Sequence, residues 1–236
     1  MLIVRILLSV LAWTTGILVG MIVFPLTALL FTIFSPTVNG YIGKFMFRLA
    51  TNAFLIRLKC EGREKLNRGQ AYMFMANHAS FFDLFVLAVY LPGDKRGIEA
   101  DHHFKWPLWG YIIRKAGQIP VDRSSPKASM RSIKQAAEVL KGGISMLILP
   151  EGTRTKTGQL QPFKKLPFKL AKMGGTDLVP IGISGTFKIK SKKTWLIRPG
   201  VATVRFGDPI PAETVQNMDI EALNELTRDR IAGLLA

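Results

Sequence analysis

Hydrophobic and polar positions divide the chain into two unlike parts. From Ile6 to Gly43 no charged residue occurs and the side chains are mostly aliphatic or aromatic. That run exceeds the roughly 20 apolar residues that cross a hydrocarbon core, so it belongs in or on a membrane. It is too long for the apolar region of a secretory signal and no small-residue cleavage site closes it, which predicts that it is retained. Pro25 is expected to interrupt it, and Ser35-Pro36 followed by Asn39-Gly40 reads as a turn before a second segment over residues 41–56. Arg5 lies before the run, and Lys44, Arg48, Arg57 and Lys59 lie after it. Positive charge on both sides favours a re-entrant or interfacial hairpin over a simple crossing.

Beyond Cys60 the pattern changes to short apolar runs that alternate with amphipathic stretches and turn residues. Residues 71–76, 144–150 and 178–184 read as buried strands, and 82–90 and 126–141 as helices. The final stretch, 219–235, carries Ile220, Leu223, Leu226, Ile231, Leu234 and Leu235 at helical spacing and reads as a closing amphipathic helix. The fold class predicted is α/β, a mixed sheet flanked by helices, preceded by a hydrophobic membrane-anchoring helical hairpin. Residues 1–58 form the anchor in this reading and 59–236 the catalytic domain. A length of 236 residues suits one such domain and not two cores.

Composition narrows the partners. A net charge of +16 requires something anionic nearby: a bilayer, a phosphorylated substrate, an acidic carrier protein or nucleic acid. The single cysteine excludes an intrachain disulfide framework and, with no Cys/His spacing, disfavours structural zinc. A reducing, cytosol-facing domain fits best.

The stretch Asn77-His78-Ala79-Ser80-Phe81-Phe82-Asp83 directly follows an apolar strand and so sits at the mouth of the sheet. Imidazole is suited to removing a proton near neutral pH, and a carboxylate that accepts its N–H fixes the productive tautomer. Asp83 falls in the first turn of the following helix and can supply that carboxylate. Equally, Ser80 and Asp83 spell a capping box ahead of an apolar run, which accounts for Asp83 and leaves Asn77-His78 unexplained. These residues alone leave both readings open.

Glu151-Gly152-Thr153-Arg154 follows the 144–150 strand and has the makings of a phosphate loop. Gly152 lets backbone amides approach an anion, Thr153 adds a hydroxyl and Arg154 a bidentate donor. Glu151 is expected to orient Arg154 or another cation. Gly117-Gln118-Ile119-Pro120-Val121-Asp122-Arg123 ends a short strand and offers a second cation, whereas Val179-Pro180-Ile181-Gly182 offers apolar wall.

In this order the blocks resemble the glycerolipid acyltransferase family that includes the 1-acylglycerol-3-phosphate acyltransferases, over about residues 60–210. The family's His-x4-Asp block resembles His78 to Asp83, its second block Gly117 to Arg123, its Glu-Gly-Thr-Arg block Glu151 to Arg154, and its Val-Pro block Val179 to Gly182. The resemblance implies that His78 is the general base assisted by Asp83, with Asn77 in support, and that Arg123, Glu151, Gly152, Thr153 and Arg154 form or support a phosphate site for the acceptor. Phe104-Lys105-Trp106-Pro107 looks like the family's segment before the second block, which adds Lys105 as a phosphate ligand. No bound cofactor is implied. The co-substrate is an acyl thioester of coenzyme A or acyl carrier protein, the acceptor a lysophospholipid, and the location the cytoplasmic face of a membrane, a bacterial inner membrane.

The chain departs from the family at Asp101-His102-His103, where relatives carry a basic or neutral run, and at Leu166-Pro167, where glycine is usual. The adjacent histidines invite a metal. Neighbours in a strand point to opposite faces, however, and the family needs none, so no metal is expected. Lys188, Lys190, Lys192 and Lys193 read as one solvated strand face near anionic lipid rather than as a nucleic-acid patch. Two alternatives remain. One is an acyltransferase for another acceptor, such as glycerol-3-phosphate, a different lysophospholipid or a lyso-ornithine lipid. The other is a non-catalytic basic membrane-binding module.

Overall fold

The computed structural model describes residues 2–122 and 124–236. In chain order its elements are α1 (Leu2–Ile33), α2 (Pro36–Ala53), β1 (Ile56–Glu61), β2 (Met73–Ala76), α3 (Asp83–Tyr90), β3 (Lys95–Ala100), α4 (Trp109–Lys115), β4 (Ile119–Val121), α5 (Pro126–Lys141), β5 (Ser145–Ile148), α6 (Lys165–Gly174), β6 (Leu178–Ser184), α7 (Thr186–Ile189), β7 (Gly200–Phe206), α8 (Ala212–Asn217) and α9 (Ile220–Leu235). Single 3-10 turns cover Arg63–Lys65 and Asp101–Lys105. The strands form one mixed sheet in the order β1-β7-β6-β2-β5-β3-β4. From β6 to β4 all neighbours are parallel, β7 runs antiparallel to β6, and β1 is parallel to β7.

Parallel strands covered on both faces read as unbroken apolar runs, and β2, Met-Phe-Met-Ala, is buried at every position. Its alternating side chains serve two cores. Phe74 and Ala76 point into a layer with Phe82, Phe85, Val86 and Ile181, while Met73 and Met75 join Ile133, Ala136, Phe168 and Leu170 on the other face. Gly182 of β6 has no side chain because α9 lies against it, and a Cβ there would come within 2.6 Å of the Leu234 Cβ. The chain leaves β2 for β3, two places away, and β5 later fills the gap. The carboxyl ends of β2, β5 and β3 therefore meet at a topological switch point, where ligands of parallel sheets bind.

The hairpin is present, with its turn shifted. Pro25 lies inside a continuous α1, since losing one helical hydrogen bond matters less than the packing on either side of it. Helix α2 begins at Pro36 itself, a proline placed where the N–H has no helical partner. Asn39 is thus helical rather than part of the turn, and its Nδ2 donates to the carbonyls of Phe31 (3.3 Å) and Phe34 (3.2 Å) at the open end of α1. The expected boundary after residue 58 falls within β1, and Ala12, Ala50 and Phe54 from the hairpin belong to the same buried cluster as Phe74 and Phe82.

Helix α1 is long and apolar enough to cross a membrane, yet it is tied to the domain along its length. The Ser9 hydroxyl accepts from the Ile197 N–H (2.9 Å), Trp13 Nε1 donates to the Trp195 carbonyl (2.8 Å) and the Thr15 hydroxyl donates to the Ala53 carbonyl (2.6 Å). Further along, the Phe24 ring meets Trp109 edge to face (6.0 Å) and the hydroxyls of Thr32 and Tyr111 lie 2.6 Å apart. At 1.5 Å per residue these ties span about 35 Å, more than a hydrocarbon core. A helix held this way cannot cross a bilayer without pulling the sheet in with it. Its outward side chains, among them Leu7, Val10, Ile17 and Met21, are exposed.

Gly16 permits this contact, because a Cβ on it would lie 2.2 Å from the Phe54 ring, which is itself wedged against Trp13 and Phe82. Gly16→Val is expected to lower stability by about 1–3 kcal/mol through overpacking, read as a lower melting temperature in detergent, and to speed protease cleavage between α1 and β1.

Candidate active site

The turn from β2 into α3 is built on hydrogen bonds that leave it little freedom. Asn77 carries β2's pairing one residue further: its Nδ2 donates to the Ile183 carbonyl (3.0 Å) and its Oδ1 accepts from the Ile183 N–H (2.7 Å). The His78 N–H donates to Glu151 Oε1 (2.6 Å), and its carbonyl accepts from the Thr155 N–H (2.9 Å). The backbone of His78 is thus gripped from β6 through its neighbour and from the loop after β5 directly.

Its imidazole Nδ1 lies 2.9 Å from Oδ2 of Asp83, the first residue of α3. The same oxygen accepts the N–H groups of Ala79 (2.6 Å) and Ser80 (2.7 Å). A carboxylate oxygen that gathers donors takes Nδ1 as N–H, which leaves Nε2 with a free lone pair. The Asp83 side chain is fully buried, whereas that of His78 is 17% exposed and lines a cavity, the arrangement of a base with its orienting group. The two readings of Asp83 coexist here. It caps the Ser80 N–H as in a capping box and binds the imidazole with the same atom. The reciprocal half of the box is displaced by one residue: the Ser80 hydroxyl accepts from the Phe82 N–H (3.3 Å) rather than from Asp83, and donates to the Lys190 carbonyl (2.8 Å).

Glu151 departs from expectation: among the described residues it pairs with backbone and amide donors rather than with a cation. One oxygen holds His78, and the other accepts from the backbone (3.1 Å) and side-chain (2.9 Å) N–H groups of Gln161, so both are spent on neutral donors. Burial pushes its carboxyl above the ordinary value, opposed by the N–H donors of His78 and Gln161. A partner ten residues on in an irregular loop leaves no periodic signal, so Gln161 was invisible in the sequence. Gly152 adopts φ +70°, and a Cβ there would meet Lys164 at 2.9 Å, so the glycine makes room for a lysine across the loop.

Arg154, Lys164 and Lys192 line the mouth of the cavity beside His78, Gly152 and Thr153, and Lys192 Nζ donates to the Thr153 hydroxyl (3.3 Å). They come from three segments, and neither lysine was singled out for this site from the sequence. Lys105 does not join them; it is exposed at the end of its 3-10 turn and lies off the cavity wall. Arg123 lies outside the described residues. His102 and His103 occupy that same 3-10 turn rather than a strand, so their rings pack together with centroids 4.2 Å apart, and His103 Nδ1 pairs with Glu99. Lys188 lies in the short helix α7 and Lys190, Lys192 and Lys193 in the loop beyond it, not on one strand face, because Thr186–Ile189 turns helical directly after β6.

The cavity measures about 630 Å³ and runs between α3 and β3. Leu84, Ala88 and Leu91 on one face of α3 line one wall and residues 95–100 of β3 the other, with Gly40, Gly43 and Phe47 of α2 and Ile112 and Ile113 of α4 closing it. At 1.5 Å per residue, α3 carries it about 12 Å from His78 to its far end. Lys95 sits there. Burial, then the nearby Lys44 charge, pulls its ammonium down from 10.5 to about 8. Asp94 offers little relief because its carboxylate is taken up by the Arg96 guanidinium.

Comparison with known proteins agrees with this architecture. A model of the acyltransferase family matches residues 57–184. A 1-acyl-sn-glycerol-3-phosphate acyltransferase from Cocos nucifera is 36% identical over 154 residues, which are 65% of this chain and 49% of the relative. One from Saccharomyces cerevisiae is 31% identical over 183 residues, 75% of this chain and 59% of the relative. The chain thus spans about half to three-fifths of the length of these relatives. The crystal structure of the 1-acyl-sn-glycerophosphate (LPA) acyltransferase PlsC from Thermotoga maritima superposes with a TM-score of 0.81 at 20% identity, covering 98% of this chain and 95% of that one.

The depressed Lys95 ammonium has a measurable consequence. With folded and unfolded values of about 8 and 10.5, the folded state binds fewer protons across that interval, so the penalty Lys95 places on folding is full below about 8 and fades as pH rises from 8 to 10.5. Lys95→Met is expected to be more stable than the native protein at pH 7 by about 1–3 kcal/mol. That advantage should shrink as pH rises from 8 to 10.5, followed by denaturation in detergent at each pH.

Proposed function

The chain belongs to the acyltransferase family, and from that premise we propose that it transfers a fatty acyl group from an acyl thioester to the sn-2 hydroxyl of 1-acyl-sn-glycerol-3-phosphate, giving phosphatidic acid. The observation that carries this reading is the His78–Asp83 pair, a base and its orienting carboxylate, opening onto an apolar cavity whose mouth is cationic.

In the proposed reaction Nε2 of His78 takes the proton of the acceptor hydroxyl as its oxygen attacks the thioester carbonyl. Asp83 holds the ring and stabilises the imidazolium that forms. The tetrahedral oxyanion is met by nearby amides or cations, and it collapses with departure of the coenzyme A or acyl-carrier thiol, protonated by His78. Arg154, Lys164 and Lys192, with the Gly152 and Thr153 loop, hold the acceptor's phosphate; Arg123 stands as a further candidate. Glu151 supports this site by fixing the backbone of His78, and Asn77 by fixing the turn. No protein nucleophile takes part. Cys60 lies on the edge strand β1, three strands from β2 and so about 14 Å away, and burial raises its thiol.

The hairpin lies in one leaflet on the cytoplasmic face of a membrane, a bacterial inner membrane, and the acyl donor arrives from the aqueous side. Tags placed at the two termini are then expected on the same side of the membrane. Protease should reach both in inside-out vesicles and neither in sealed right-side-out cells; a single protected tag would contradict an interfacial hairpin.

The test of activity is thiol release by detergent-solubilised protein from long-chain acyl-CoA or acyl carrier protein, with lysophosphatidic acid, glycerol-3-phosphate or no acceptor. Turnover is expected with lysophosphatidic acid, and a folded His78→Ala variant should lose about 10²–10⁴-fold of it. Turnover with another acceptor would keep the chemistry and change the substrate, and silence with both donors would remove the enzymatic reading.

A further inference from the structure

The loop of residues 190–199 has a role that the catalytic reading leaves unused. One end touches the active site: the Lys190 carbonyl accepts from the Ser80 hydroxyl two residues after His78, and Lys192 reaches Thr153 at the cavity mouth. The other end is strapped to α1. Ile197 is fully buried and exchanges hydrogen bonds with the Ser9 hydroxyl, and Trp13 Nε1 grips the Trp195 carbonyl. These bonds tie the Trp195 backbone to α1, yet the residue is 53% exposed.

The composition of the loop fits that position. From Lys188 to Arg198 there are five cations, Lys188, Lys190, Lys192, Lys193 and Arg198, and no carboxylate. Lys192, Lys193, Trp195 and Arg198 are all exposed. An exposed indole among uncompensated cations is ill-suited to water. It suits the headgroup layer of an anionic bilayer, where the ring sits between acyl chains and water and each cation near the surface gains from lipid phosphates.

We propose that this loop is a second membrane-contacting element, with Trp195 seated at the headgroup level of an anionic bilayer and Lys193 and Arg198 against lipid phosphates. The lipid surface then reaches from the exposed side of α1 to the rim of the catalytic cavity. An acceptor in the membrane meets cations of the loop before those of the cavity. A soluble acidic protein is the competing occupant of the same surface.

Trp195 emission tests this without turnover, so the outcome is independent of the acyltransferase reading. The full chain is transferred from detergent to phosphatidylcholine/phosphatidylglycerol vesicles with or without brominated acyl chains, and the emission of Trp195→Phe is subtracted from that of the native protein. The Trp195 component is expected to be blue-shifted and quenched by the brominated lipid. A water-like component that bromine leaves untouched would overturn the proposal and favour a protein partner. Equal melting temperatures show that the variant is folded. A second measurement needs no change at Trp195. Trypsin should cut after Lys192 and Lys193 more slowly on phosphatidylglycerol vesicles than on neutral ones, and Lys193→Gln should weaken partition to the anionic vesicles by about fivefold, the contribution of one surface lysine. Equal cutting on both vesicles, with unchanged partition, would also overturn it.

Discussion

Oδ2 of Asp83 is the atom on which the local architecture turns. It accepts the N–H groups of Ala79 and Ser80 and faces Nδ1 of His78, all within a side chain that has no exposure to solvent. Leaving any of those donors unpaired in such a place costs on the order of 1–3 kcal/mol, so the turn, the start of α3 and the orientation of the imidazole are fixed together. Glu151 supplies the complementary constraint from the neighbouring strand. It holds the backbone N–H of His78 while Asp83 holds its ring. Two buried carboxylates, neither of them paired with Arg or Lys among the described residues, thus pin one histidine by its two ends.

That pinned turn rests on the aromatic layer beneath it, and the hairpin is part of that layer. Phe82 lies in the His78–Asp83 turn and packs on Phe54 just past the end of α2, which packs on Trp13 of α1. The segment that looks most separable in composition is therefore continuous with the core under His78. On the proposed function this has a physical use. A lysophospholipid leaves a bilayer at high cost, and a base whose supporting core is shared with the hairpin needs no such departure.

Positive charge is distributed by purpose rather than spread evenly. Arg154, Lys164 and Lys192 converge on one cavity, and on the proposed function the acceptor's phosphate offsets their mutual repulsion. Lys95 and Lys44 stand at the opposite end with less solvent, and burial lowers the pKa of both. Lys193 and Arg198 are exposed in the loop tied to α1. The net charge of +16 thus includes cations with different energetics.

The sequence by itself determined the elements whose signal is local. Unbroken apolar runs marked β2, β5 and β6, helical spacing marked α5 and α9, and a charge-free stretch marked the hairpin, since each depends on the period of its own side chains. The His78–Asp83 turn was legible as a short motif with two open readings, a capping box or a base with its carboxylate, and the family resemblance favoured the second. Tertiary structure decided the rest. Glu151 was read as orienting Arg154 or another cation, but among the described residues it bonds to His78 and Gln161, which only the parallel pairing of β2 with β5 and the path of the following loop bring within reach. Lys164 and Lys192 entered the site the same way. Pro25 was read as a break, and packing of α1 along the domain overrode that local preference. Periodicity records which face a residue presents, but it holds no record of which distant segment will lie opposite that face. That is settled by strand order and by the requirement that every buried N–H and carboxylate find a partner.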